Sequence, residues 1–161
     1  MNSSFGKTLS VALLLPIISF SGAKAQTASE LVYKSAAEVT NWPPIGDKTA
    51  TVVSIPTGPT TVLSARRVGK GDAEIHMKRG HFFVATDGKA DVILGTKIEG
   101  DRETGPNERL GGNVVGGRTQ TMSAGDIMWI PPLMGHQVIV PPGGSFSYLV
   151  FNYAEDPTAK K

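Results

Sequence analysis

Two stretches decide how this chain folds: EIHMKRGHFFVATDGKADVILG, from Glu74 to Gly95, and GDIMWIPPLMGH, from Gly125 to His136. The first contains runs rich in β-branched and aromatic residues at 73–77, 81–86 and 90–95, broken by Lys78-Arg79-Gly80 and by Asp87-Gly88. Short runs with such punctuation read as strands joined by tight turns. In the second, 126–130 reads as a strand stopped by Pro131-Pro132, and 136–140 as the next one. Outward from these, 49–55, 60–68, 118–122 and 146–153 have the same character, with a turn at Pro141-Pro142-Gly143-Gly144. The pattern predicts an all-β antiparallel sandwich or barrel over 49–153, followed by a tail at 154–161.

Composition narrows what the barrel can carry. The chain has 161 residues, enough for one domain with a real core. It has no Cys, which excludes disulfide scaffolds, zinc–thiolate modules, iron–sulfur clusters and thiol nucleophiles. Residues 1–25 read as a signal peptide: Lys7, an apolar stretch from Val11 to Phe20 interrupted by Pro16, and Ala23-Lys24-Ala25 with cleavage expected after Ala25. Its apolar stretch is too short for a membrane span. Cleavage removes Lys7 and Lys24 and no acid, so the formal net charge falls from +2 to zero. A neutral mature chain gives no electrostatic reason to bind nucleic acid or an anionic membrane. The expected location is the periplasm or the outside of the cell, where a chain without Cys avoids oxidative mispairing.

Residues 26–48 form an N-terminal arm in which Ser35-Ala36-Ala37-Glu38 has capping-box spacing for a short helix, ended by Asn41-Trp42-Pro43-Pro44. Thr96–Gly117 is polar and Gly-rich and is expected to be a loop or hairpin beside the barrel, of the kind that serves as connector or flap. Its run Gly111-Gly112-Asn113-Val114-Val115-Gly116-Gly117 is not read as a phosphate loop, because no helix pattern follows to present N-terminal amides.

Three histidines occur, at 76, 81 and 136. Because strand side chains alternate, Glu74 and His76 share one face. Here the two stretches resemble the signature motifs of the cupin superfamily. The usual first motif is His-x-His, three or four residues, Glu, six residues, Gly. This chain has Glu74-x-His76, four residues, His81, six residues, Gly88. The usual second motif is Gly, five residues, Pro-x-Gly, two residues, His, three residues, Asn. Gly125, Pro131 and His136 keep their places, whereas Leu133 stands for the Gly and Val140 for the Asn. The resemblance covers roughly 60–152.

The resemblance implies a double-stranded β-helix, the cupin jelly-roll barrel, with the arm packed outside it. It also implies a divalent metal inside the barrel. The family's three imidazoles and one carboxylate survive here with two places exchanged, so Glu74, His76, His81 and His136 are the expected ligands. His81 also reads as a neighbour that orients a ligand by hydrogen bonding. Imidazole and carboxylate suit Fe, Mn, Zn, Ni, Co or Cu better than Ca. Two functions follow: a metal-dependent enzyme acting on a small organic molecule, as lyase, isomerase, decarboxylase or dioxygenase, or a non-catalytic barrel that binds or stores a small ligand. Proton-transfer candidates are Glu74, Lys78, Tyr148 and Tyr153, none of them placed by sequence. Lys78 and Arg79 are expected as solvated turn charges. Phe82, Phe83, Met128, Trp129, Phe146 and Phe151 are expected in the core. Family analogy adds a homodimer, through an edge strand or the arm.

Overall fold

The computed structural model describes residues 31–46, 48–57 and 60–154. The signal segment with its cleavage site, and the tail beyond Ala154, lie outside the described residues. Within the arm, helix α1 spans Ala36–Val39 and carries the capping box the spacing predicts: Glu38 N–H donates to Ser35 Oγ, and Ser35 N–H donates to the Glu38 carboxylate. The arm is anchored by Trp42, whose indole N–H donates to Ser64 O and Oγ, both at 3.1 Å.

The rest is antiparallel β-structure. The strands are β1 (Ala50–Thr57), β2 (Thr60–Arg67), β3 (Lys70–His76), β4 (Arg79–Gly95), β5 (Lys97–Glu99), β6 (Arg102–Gly105), β7 (Glu108–Leu110), β8 (Asn113–Val115), β9 (Arg118–Ser123), β10 (Ile127–Ile130), β11 (Gly135–Ile139) and β12 (Phe146–Ala154). Sheet order runs β1-β2-β12-β4, with β10 on the other side of the same half of β4. The far half of β4 pairs with β9 and β11, and β11 leads on to β3, β7 and β6. One long strand therefore belongs to both sheets of the barrel.

The sequence reading split β4 into two strands with a turn at Asp87-Gly88, and the structure corrects this. Gly88 is a corner inside a continuous strand, at φ 74°, where a Cβ would stand 2.0 Å from Ser145 O. The opposing strand shifts register between Ser147 and Tyr148. Inward positions switch parity across the corner, from His81, Phe83 and Ala85 to Ala90, Val92 and Leu94. A glycine that permits positive φ and a bulge that bends the ladder are the usual means of folding one strand round a barrel edge.

Between the sheets lies a core that includes Phe83, Val92, Leu94, Met122, Ile130, Val138, Phe146 and Val150. Phe83 and Phe146 are where the sequence put them, but Phe82 and Trp129 are not: they are 44% and 39% exposed and pack against each other outside the sheet, ring centres 4.6 Å apart and tilted by 36°. Both sit at outward parity, paired directly across β4 and β10. The segment 96–117, expected as a loop or hairpin, is built of short antiparallel strands. It holds β5–β8, and its β7 pairs with β3 behind the future site. The turn Pro106-Asn107, with Asn107 at φ 68°, is pinned by Met77 N–H donating to Asn107 O.

Candidate metal centre

The long β4 and its neighbours bring distant residues to one place. His76 closes β3, His81 opens the inward face of β4, and His136 lies on β11 opposite Glu74 of β3. All three imidazoles are buried. One ring nitrogen from each lies within 4.8 Å of the other two, although 55 residues of chain separate His81 from His136. Glu74 Oε2 adjoins the cluster, 3.6 Å from His76 Nε2 and 4.0 Å from His136 Nε2. The shared parity of Glu74 and His76 therefore holds.

One departure from the motif that the sequence resembles lies in the turn before His136. Leu133, where the family has Gly, adopts φ 65°, and its N–H donates to His76 O at 2.8 Å. The loop before His136 thus needs a left-handed residue, which costs a side-chain-bearing residue about 1–2 kcal/mol. Leucine tolerates it with its side chain largely in solvent.

Hydrogen bonding assigns the tautomers. His76 Nδ1 meets the Glu108 carboxylate in a close contact. A carboxylate only accepts, so Nδ1 carries the proton and the Nε2 lone pair faces the cluster. Arg79 Nη2, 3.1 Å from Nδ1, directs its hydrogen to the Glu108 carboxylate instead. His136 Nδ1 donates to Met134 O at 3.3 Å, which frees its Nε2 in the same way. Pinning the outer nitrogen of an imidazole to an acceptor is how proteins orient metal-binding histidines. His81 has neither nitrogen bonded, and His76 Nε2 is also a buried atom without a partner. Buried imidazole nitrogens with no partner are costly, and a cation held in the cluster would take up His76 Nε2 and one nitrogen of His81 at once. The donor set fits a divalent transition metal, with three imidazoles and an adjacent carboxylate.

Glu108 escaped the sequence reading because it lies in the segment expected as a loop or hairpin beside the barrel, where no strand pairing with β3 is legible. A signal was present: Arg102–Gly105 and Glu108–Leu110 flank a Pro-Asn turn, the composition of a hairpin. Arg79 is likewise no free turn charge. Its Nη2 donates to Glu108 Oε2 at 2.8 Å, behind His76.

In front of the histidines lies a cavity of about 160 Å³, whose polar lining includes Arg67, Asp72, Glu74, Arg79, His81 and Tyr148. Arg67 spans two of these, donating through Nε to Tyr148 Oη at 2.8 Å and through Nη2 to Glu74 Oε1 at 3.1 Å. Of the proton-transfer candidates, Tyr148 and Glu74 face the cavity. Lys78 is exposed, and Tyr153 points outward beside Trp129.

Electrostatics keep the cluster ready for a cation. Burial pushes His81 down to about 3, helped by His136, His76 and Arg79. Burial also lowers His136. For Glu74 burial acts upward, but the neighbouring His76, His136 and Arg67 outweigh it and hold the carboxyl at about 2. The consequence for the metal-free protein has a definite sign. Below about pH 6.5 the unfolded chain protonates His81 while the folded chain does not, and below about 4.5 the same holds for Glu74. Stability contributed by these groups is therefore complete above pH 6.5 and is lost as pH falls towards 3. Urea midpoints of chelator-treated protein should fall steadily from pH 7 to pH 4; a midpoint that is flat or rises over that range would contradict the buried, neutral imidazole.

No protein-family model matches the chain, and no curated protein matches it in sequence. Solved structures do. HppE in its Fe(II) form superimposes with a TM-score of 0.55 at 10% identity, over 78% of this chain and 64% of that one. KdgF from Halomonas sp. gives 0.50 at 14% identity, over 72% and 88%. The cupin domain of Schizosaccharomyces pombe Cnp3 gives 0.50 at 8% identity, over 68% and 67%. At such identities the likeness establishes the fold.

Proposed function

We propose that this chain, which has the cupin fold, is an exported metal-dependent enzyme that acts on a small organic molecule held in the cavity in front of His81 and His136. The observation that carries the reading is the convergence of three buried imidazoles, among which His76 Nε2 and both nitrogens of His81 have no protein partner. His76, His81 and His136 would hold the ion through ring nitrogens, with Glu74 as the fourth ligand. Export rests on the composition of residues 1–25. That the Fe(II) form of HppE shares the fold is compatible with iron, and imidazole–carboxylate sets serve Mn, Zn, Ni, Co and Cu as well.

When bound, such an ion supplies Lewis acidity towards a substrate oxygen or a water. The chain's own residues do the rest. Glu108 and the Met134 carbonyl fix the ring orientations, and Arg79 neutralises Glu108 behind them. Arg67 holds the Glu74 carboxylate by one oxygen and leaves the other turned to the histidines. Apolar walls such as Leu63, Phe83 and Val150 exclude bulk water. Tyr148, buried in this wall, offers the proton that a plain storage barrel has no need of, which favours the enzyme over the binder.

The reading is tested on mature protein purified without added metal. Elemental analysis should return close to one divalent transition metal per chain and should identify it. A metal-free protein that also fails to take up Fe, Mn, Zn, Ni, Co or Cu at micromolar concentration would defeat the proposal.

A further inference from the structure

The cavity has requirements beyond the metal, and they specify what enters it. Its size is the first. An enclosed space of about 150 Å³ accommodates a molecule as large as benzene, about six non-hydrogen atoms, and the cavity here is about 160 Å³.

Charge is the second requirement. Two cations, Arg67 and Arg79, and two carboxylates, Asp72 and Glu74, line the space. Arg79 is already paired with Glu108, so these charges together with Glu108 leave one negative, and a divalent ion on the histidines turns the site positive. In a poorly hydrated pocket that excess favours an anionic occupant.

The third is the pattern of unmet hydrogen bonds. Tyr148 Oη accepts from Arg67 Nε, and guanidinium can only donate, so the phenolic proton must point elsewhere. Among the described residues no acceptor meets it. Arg79 Nε is a buried donor with no partner, and Asn152 Oδ1 a buried acceptor with none. Asn152 sits directly across from His81 in the β4–β12 ladder, and both residues line the cavity. Two donors and one acceptor thus await a ligand that brings anionic oxygen and a donor of its own.

We infer that the substrate is a small organic anion of about six non-hydrogen atoms that carries a hydroxyl, a hydroxy acid being the simplest case. Its negative oxygen takes the Tyr148 and Arg79 donors, and its hydroxyl donates to Asn152. Tyr148 and Asn152 are then the residues that select it. This inference rests on the metal-dependent reading above, and the test separates the two.

Protein loaded with Co(II) would be titrated calorimetrically with lactate, with its uncharged isostere lactamide, and with the larger anion citrate. Lactate should bind saturably at one site per chain, at least tenfold tighter than lactamide, and citrate should not compete. Tyr148→Phe and Asn152→Leu should each weaken lactate at least tenfold while retaining one cobalt per chain. Equal binding of lactate and lactamide, no binding of lactate to cobalt-loaded protein, or unchanged lactate affinity in both variants would overturn the inference and leave the metal centre standing. A wild-type protein that holds no cobalt would strike the metal centre itself, and the inference with it.

Discussion

His136→Ala and His76→Ala should each lose most of the metal that the wild-type protein carries, with affinity falling more than 100-fold, about 2.7 kcal/mol or more. Loss of a positioning group outside the ligand set typically costs 10–100-fold, and loss of a ligand costs more. Both rings are buried, and both have their outer nitrogen committed, His76 to Glu108 and His136 to the Met134 carbonyl. Neither orientation can be taken over by a surface side chain. Removing His136 also removes one of the groups that hold the Glu74 carboxyl low. The measurement is metal content after dialysis together with a competitive chelator titration, and circular dichroism checks that the variants fold. Full retention of metal by both would show that the cluster is a hydrogen-bonded core rather than a binding site.

The largest effect on stability should come from Phe146→Ala, at about 3–5 kcal/mol, with the melting temperature lower by on the order of 10–20 °C. Phe146 is wholly buried at the start of β12, where it pairs with Gly88 at the β4 corner. Its ring stacks on Tyr148 at 4.9 Å, and Tyr148 in turn bonds Arg67. The cavity left by alanine therefore opens next to the site as well as in the core. Phe146→Leu, which keeps most of the volume, should cost less than half as much. Comparable losses for both would mean that ring stacking rather than filled volume holds this corner.

What could be read from the chain alone follows from how local each signal is. Strand existence was legible because Val, Ile and Phe runs alternate with Gly and Pro clusters. Glu74 and His76 on one face needed nothing beyond the two-residue repeat of a strand. The corner at Gly88 was not legible: Asp-Gly is the composition of a hairpin turn, and only the pairing of β12 across it shows that the strand continues. The outward packing of Phe82 on Trp129 depends on the parity of β10 relative to β4, which hydrophobicity does not set. Glu108 was hidden for a similar reason. Its strand, β7, is three residues long and derives its order from pairing with β3. The hydrogen-bond chain from Tyr148 through Arg67 to Glu74 joins three strands, and no spacing in sequence encodes it.

The central claim is that nitrogens of His76, His81 and His136, with an oxygen of Glu74, share one ion. X-ray absorption on protein loaded with a single equivalent of Zn(II) tests it most directly. The account predicts a first shell containing three imidazole nitrogens and one or more oxygens, with the multiple-scattering signature of histidine rings reduced to two in His81→Ala. A shell made only of oxygens, or one that His81→Ala leaves unchanged, would contradict it.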